Sequence, residues 1–133
     1  MRTLFQILLV AFGSSVGGLA RWGVSLAFGR LMGTALPWGT FFINVTGCLF
    51  LGWFITLLDE RLVLSERSWL RADDLRVMVA VGFTGSYTTF STFEFETHRL
   101  LGDGDSLAGA AYVAFSVFLG LLAVRLGVAL ARA

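Results

Sequence analysis

Four apolar stretches, each near the roughly 20 residues that cross a bilayer as a helix, constrain this 133-residue chain more than anything else in it. They cover about residues 4–28, 39–58, 75–96 and 107–131. A soluble globule of this length keeps too much surface in water to hide a sequence that is 56% hydrophobic and only 14% charged. Lipid is the solvent that fits. The expectation is one domain, residues 1–133, an all-α integral membrane protein of four transmembrane helices.

The charges fall between these stretches. Residues 29–38 hold Arg30 and the only proline, Pro37; residues 59–76 hold nine charged side chains, Glu66 and Arg67 among them; residues 97–106 hold His98, Arg99, Asp103 and Asp105. Met1-Arg2, the apolar run 4–12 and Gly13-Ser14-Ser15 together have the look of a signal peptide, but apolar residues continue well past that point, so the segment reads as a span. With four crossings both termini share one side. That side carries Arg2, Arg61, Arg67, Arg71, Arg76 and Arg132, with Arg125 deeper, against Arg30, Arg99 and the deeper Arg21 on the other. The excess favours termini in the cytoplasm. A net charge of +1 gives no electrostatic case for nucleic acid, and the single cysteine, Cys48, can form no internal disulfide.

The third stretch is the informative one. From Thr84 to Thr92, seven of nine residues carry a hydroxyl, and Gly82 and Gly85 lie beside them. One or two such hydroxyls would bond back to the carbonyl a turn earlier. Seven, with β-branched threonines and glycine lowering helix propensity, predict a break near residues 85–88. Irregular backbone at membrane depth must be buried in protein or face a wet cavity. Freed carbonyls there could hold a cation, and hydroxyls could donate to an anion.

Other side chains admit two readings each. Phe90 and Phe93 share a helix face, where they either pack or offer positive ring edges to an anion. Asn44, one turn from Thr40 in the second span, is either a neutral donor to a small anion or an interhelical hydrogen bond. Tyr112, Ser116 and Gly120 form a polar-to-small stripe that lines a path or lets helices approach. Gly13, Gly17 and their small neighbours suit tight packing, and Arg21 either snorkels or concentrates anions at a vestibule. Within the spans the only carboxylates are Glu94 and Glu96, at the end of the third. No nucleophile–base pair, metal-ligand spacing or phosphate loop is present, so an enzyme is not expected.

Three blocks resemble one family: Gly18-Leu19-Ala20-Arg21-Trp22; Gly39-Thr40-Phe41-Phe42-Ile43-Asn44-Val45-Thr46-Gly47; and the run from Gly82-Phe83-Thr84-Gly85 through Thr88-Thr89-Phe90-Ser91-Thr92-Phe93 to Glu96. These are similar to the Fluc fluoride channels, also called CrcB proteins, and the likeness covers all four spans in order. It implies an antiparallel, dual-topology homodimer in the bacterial inner membrane, with two pores that pass fluoride passively out of the cytoplasm. It implies that Asn44 is a pore donor, that Phe90 and Phe93 turn their edges to fluoride, and that Thr40, Ser91, Thr92, Tyr112 and Ser116 complete the polar lining. Arg21 matches the basic vestibule position. The carbonyls of Gly85 and Thr88 from both subunits are implied ligands of one structural sodium, the only cofactor expected. The implied partners are fluoride, membrane lipid and a second copy of the chain. Three departures stand out: Ser86 replaces a second glycine, Gly120 replaces a hydroxyl, and the arginine excess on the side of the termini is larger than dual insertion suggests, which leaves open either a bias too weak to fix orientation or pairing with an oppositely oriented relative.

Two other classes were open from the residues. A proton-coupled small multidrug exporter would want a carboxylate in the first span, and residues 4–28 contain none. A non-transporting membrane assembly protein would explain the glycines of the first span but not the clustered hydroxyls of the third.

Overall fold

The computed structural model describes residues 1–61 and 70–133; Glu66 and Arg67 lie outside the described residues. All regular structure among the described residues is helical. The long helices are α1 (Arg2–Met32), α2 (Trp38–Glu60) and α6 (Ser106–Arg132), and all three are long and apolar enough to cross a membrane. The remaining segment runs as α3 (Ala72–Leu75), a π-helix (Arg76–Thr84), α4 (Gly85–Tyr87) and α5 (Phe90–Gly102).

Helix ends differ from the apolar boundaries in instructive ways. Arg30 belongs to the last turn of α1, and His98 and Arg99 belong to α5, although charge had placed all three in connections. A helix continues past its apolar part wherever its end reaches water, because backbone hydrogen bonding does not depend on side-chain polarity. Gly33, at φ 74°, ends α1, a conformation that suits a residue without Cβ. The α5–α6 connection is short, and Asp105 caps α6 by accepting from the Ala108 N–H at 3.1 Å.

Two pairs of elements run parallel. Arg132 reaches Glu60 across 72 residues, and the same offset relates Cys48 to Gly120 and Gly52 to Val124. Helices α2 and α6 therefore run side by side in one direction over about three turns. Gly52 and Gly127 make this possible: a Cβ on Gly52 would collide with the Val124 carbonyl, and one on Gly127 with the Leu49 carbonyl.

Helix α1 pairs in the same way with the interrupted segment. Gly13 faces the Met78 carbonyl and Gly17 the Phe83 carbonyl at distances that admit no side chain, while a Cβ on Gly82 would lie 2.8 Å from the Val10 carbonyl. At one end Arg2 forms an ion pair with Asp74 at 2.8 Å; at the other, Arg99 donates to the Thr34 carbonyl at 3.1 Å. The interrupted segment thus extends over the full height of α1. Asp74 is completely buried, and its charge is answered by Arg2, by Gln6 and by the Arg71 N–H. A buried carboxylate with three donors is tolerable where a bare one is not.

The π-helix was not anticipated. Its wider turn is supported by Thr84, whose hydroxyl donates to the Val79 carbonyl five residues back at 3.1 Å. Where composition predicts a break, Gly85 and Ser86 stay helical, and the chain becomes extended only at Thr88 (φ −78°, ψ 161°) and Thr89 (φ −150°, ψ 118°).

Candidate functional site

The site is built around those two extended residues. In an unbroken helix the Thr89 N–H would bond to the Gly85 carbonyl and the Thr92 N–H to the Thr88 carbonyl. Instead the Thr89 N–H goes to Asn44 Oδ1 at 2.9 Å, and Asn44 Nδ2 donates to the Thr89 carbonyl at 3.1 Å. The Thr92 N–H goes to the Thr89 hydroxyl, which caps α5. That hydroxyl also donates to Thr92 Oγ1 at 2.9 Å.

Asn44 therefore acts as a surrogate peptide group. Its amide occupies one donor and one acceptor on Thr89, and the two bonds offset the loss of the helix ladder in a medium without water. One Nδ2 hydrogen remains. The carbonyls of Gly85 and Thr88 are left without their helical partners, and Gly85 lies on the exposed side of the chain. On the inner side the extended pair lies against α2 at Gly47, where a Cβ would strike the Thr88 methyl. Thr88 itself stays tied to the end of the π-helix through two bonds to the Thr84 carbonyl, from its N–H at 2.9 Å and its hydroxyl at 2.8 Å.

Beyond the break, α5 turns Phe93 toward α6. Phe93 is only 8% exposed and stacks obliquely on Tyr112 with ring centroids 5.1 Å apart. Phe90, one turn back, lies 6.1 Å from Phe93 but is 74% exposed. Ser91 and Thr92 are exposed beside it. Thr40 and Tyr112 do not point free hydroxyls into space. Both donate to Glu96, Thr40 to Oε1 at 2.9 Å and Tyr112 to Oε2 at 3.0 Å. This carboxylate joins α2, α5 and α6 and was absent from the expected site. Its signal was available: Glu96 follows Phe93 by three residues, on the same helical face.

Ser116 lies one turn beyond Tyr112 and, by the α2–α6 offset, level with Asn44. Its hydroxyl is buried and has no hydrogen-bond partner among the described residues. Arg21 is half-buried on α1, and no ion pair or hydrogen bond connects it to the other expected site residues. The structure thus gathers Asn44, Thr89, Thr92, Phe90, Phe93, Tyr112, Thr40 and Glu96 into one continuous set, with Ser91 at its exposed edge and Ser116 one turn away, and leaves Arg21 outside it.

Comparison with known proteins bears on this arrangement as a whole. Residues 8–128 match the family described as CrcB-like protein, Camphor Resistance (CrcB). A protein of Trichormus variabilis named fluoride-specific ion channel FluC is 40% identical over 130 residues, covering 98% of this chain and 90% of its own length. A protein of Chloroflexus aurantiacus with the same name is 43% identical over 127 residues, covering 96% and 95%. An equally identical relative from Acidobacterium capsulatum covers 92% of each chain. Alignment over nearly the whole length takes in the broken segment together with every element packed against it, and on that ground the chain belongs to the CrcB family.

Proposed function

We propose that this chain is a fluoride-selective channel of the bacterial inner membrane that passes fluoride passively out of the cytoplasm. The observation that carries the reading is the exposure of Phe90, Ser91 and Thr92 beside a helix break, on a segment as tall as a membrane-spanning helix. Acyl chains solvate neither hydroxyls nor an opened backbone, so a wet path or a second subunit belongs there. The relatives' channel names support the same role and a non-enzymatic one.

The geometry suits a small, strongly hydrated anion. A selective pore must replace hydration with donors and still release the ion. Ser91, Thr92 and the spare Asn44 hydrogen are neutral donors, and the edges of Phe90 and Phe93 attract without trapping. Glu96 holds the protons of Thr40 and Tyr112, so an anion moving along that side must displace the carboxylate from one hydroxyl or the other. Ser116 offers an uncommitted hydroxyl at the level of Asn44.

The reading takes residues 1–133 as one domain with four crossings; the Arg2–Asp74 and Arg99–Thr34 contacts, at opposite ends of α1, support counting the interrupted segment as a crossing. An antiparallel dimer would bury the exposed break against its own copy about a two-fold axis. In that dimer the freed carbonyls of Gly85 and Thr88, two from each subunit, form an uncharged, hard oxygen set. Such a set suits a sodium ion better than a transition metal, which prefers nitrogen or sulfur. Sodium there would supply positive charge that holds the two breaks together.

The test uses purified protein in liposomes loaded with fluoride. Rapid efflux of fluoride, with chloride retained, supports the channel; equal chloride flux defeats selectivity. One observation favours a second reading: Glu96 is a titratable group within the bundle, as a proton-coupled exporter requires. Imposing a pH gradient separates the two. A passive, electrodiffusive channel follows the electrochemical gradient of fluoride, whereas a coupled exporter moves fluoride against it.

A further inference from the structure

The end of the molecule that carries both termini contains, among the described residues, six arginines (Arg2, Arg61, Arg71, Arg76, Arg125 and Arg132) and four carboxylates. Arg2 pairs with Asp74, Arg76 with Asp59 and Arg132 with Glu60, while Arg61 donates to the Arg132 carbonyl. Arg71 is also bonded within the chain. Arg125 alone has no ion pair or hydrogen bond among the described residues.

Its position makes that isolation consequential. Arg125 lies seven residues inside Arg132, about 10 Å along the axis of α6. It occupies the face opposite Gly120, Gly127 and Ala131, the positions that pack inward. Its neighbours on that face, Phe118, Leu121, Leu122 and Leu126, are all exposed, on a helix apolar enough to cross a membrane. A guanidinium among acyl chains is costly unless its stem lies along the apolar surface and its head reaches the interface. What it meets there is phosphate, and the planar fork of arginine matches two phosphate oxygens at once.

We propose that Arg125 is the anchor of a binding site for an anionic phospholipid on the outer face of α6. A net-negative headgroup is favoured over a zwitterionic one because, among the described residues at this end, six arginines face four acidic side chains, and a zwitterion brings its own cation. The site is independent of the ion pathway, since Tyr112, Ser116 and Gly120 lie on another face of the helix.

Native mass spectrometry of the full-length protein, released from micelles holding equal amounts of phosphatidylglycerol and phosphatidylcholine, tests this. The wild type should retain phosphatidylglycerol over phosphatidylcholine by about fivefold. Arg125→Gln should bring the ratio near one, and Arg125→Lys should keep part of it. Because the side chain is exposed and unpaired, both variants should keep the wild-type circular dichroism spectrum. Soluble glycerol phosphate at the lipid's concentration should not displace the adduct. A wild-type ratio of one, a preference that persists in Arg125→Gln, or displacement by glycerol phosphate each overturns the assignment. The adduct count does not depend on fluoride flux, so it fails or succeeds separately from the channel reading.

Discussion

The interrupted segment changes its mode of packing at Thr88. Before that residue the π-helix rests on α1 through glycine: Gly13, Gly17 and Gly82 bring main chain against main chain, with almost no polar side chains involved between the two ends. After it, α5 is held by side chains: the Asn44–Thr89 pair, the Glu96 link to Thr40 and Tyr112, and the Phe93–Tyr112 ring contact. Lipid offers little hydrophobic drive between helices, so both halves use what remains, close van der Waals fit in one and hydrogen bonds in the other. The glycine half fixes position, and the polar half is where donors and acceptors gather.

The largest expected effect lies in the glycine half. Gly17→Leu drives a branched side chain into the Phe83 carbonyl, where backbone cannot yield cheaply. The cost exceeds the roughly 1–3 kcal/mol of ordinary overpacking, and no monodisperse protein should elute on gel filtration. A well-folded Gly17→Leu protein would show that the α1 contact is not what positions the segment.

Next comes the aromatic row, where function should fail and the fold should not. Phe90→Ile or Phe93→Ile should reduce fluoride efflux from liposomes by about 100-fold or more, on the order of the 2.7 kcal/mol that two decades in rate represent, while the elution volume stays that of wild type. Wild-type flux in both variants would remove the rings from the mechanism. Phe90 sharpens the point, because its exposure means that its loss costs little packing.

Asn44→Ala should affect both properties. It removes two hydrogen bonds to Thr89, each about 0.6–1.7 kcal/mol in a membrane, and so should lower the thermal midpoint by several degrees as well as reduce flux. A variant with wild-type stability and reduced flux would assign Asn44 to the ion alone.

The smallest expected effect is Tyr112→Phe. The ring contact with Phe93 is kept and one donor to Glu96 is lost, so flux should change by a few-fold at most, and Thr40 should still hold the carboxylate. A loss as large as that of Phe93→Ile would mean that the Glu96 link, not the ring edge, controls passage.

Much of this organisation was legible beforehand, for identifiable reasons. Lipid demands about 20 apolar residues per crossing, so three of the four stretches stand as long helices within a few residues of their apolar limits. The hydroxyl cluster marked the segment that departs from regular helix because nothing else in lipid explains such a composition. Glu96 was missed because a carboxylate at the end of an apolar run looks like the start of a loop; α5 carries it inward instead, three residues after Phe93. The π-helix was missed because its support, Thr84 bonding to the Val79 carbonyl, is one hydroxyl among seven.

Three long apolar helices and the segment that departs from regular helix could be read from local sequence, since both depend on local solvation: apolar length in one case, an excess of hydroxyls in the other. Which backbone groups that departure frees is a matter of long-range packing, because the answer depends on Asn44, 45 residues from Thr89, taking the Thr89 N–H and carbonyl. A hydrogen bond between distant residues has no periodicity to read. It exists because α2 brings an amide to a backbone that has lost its own partners.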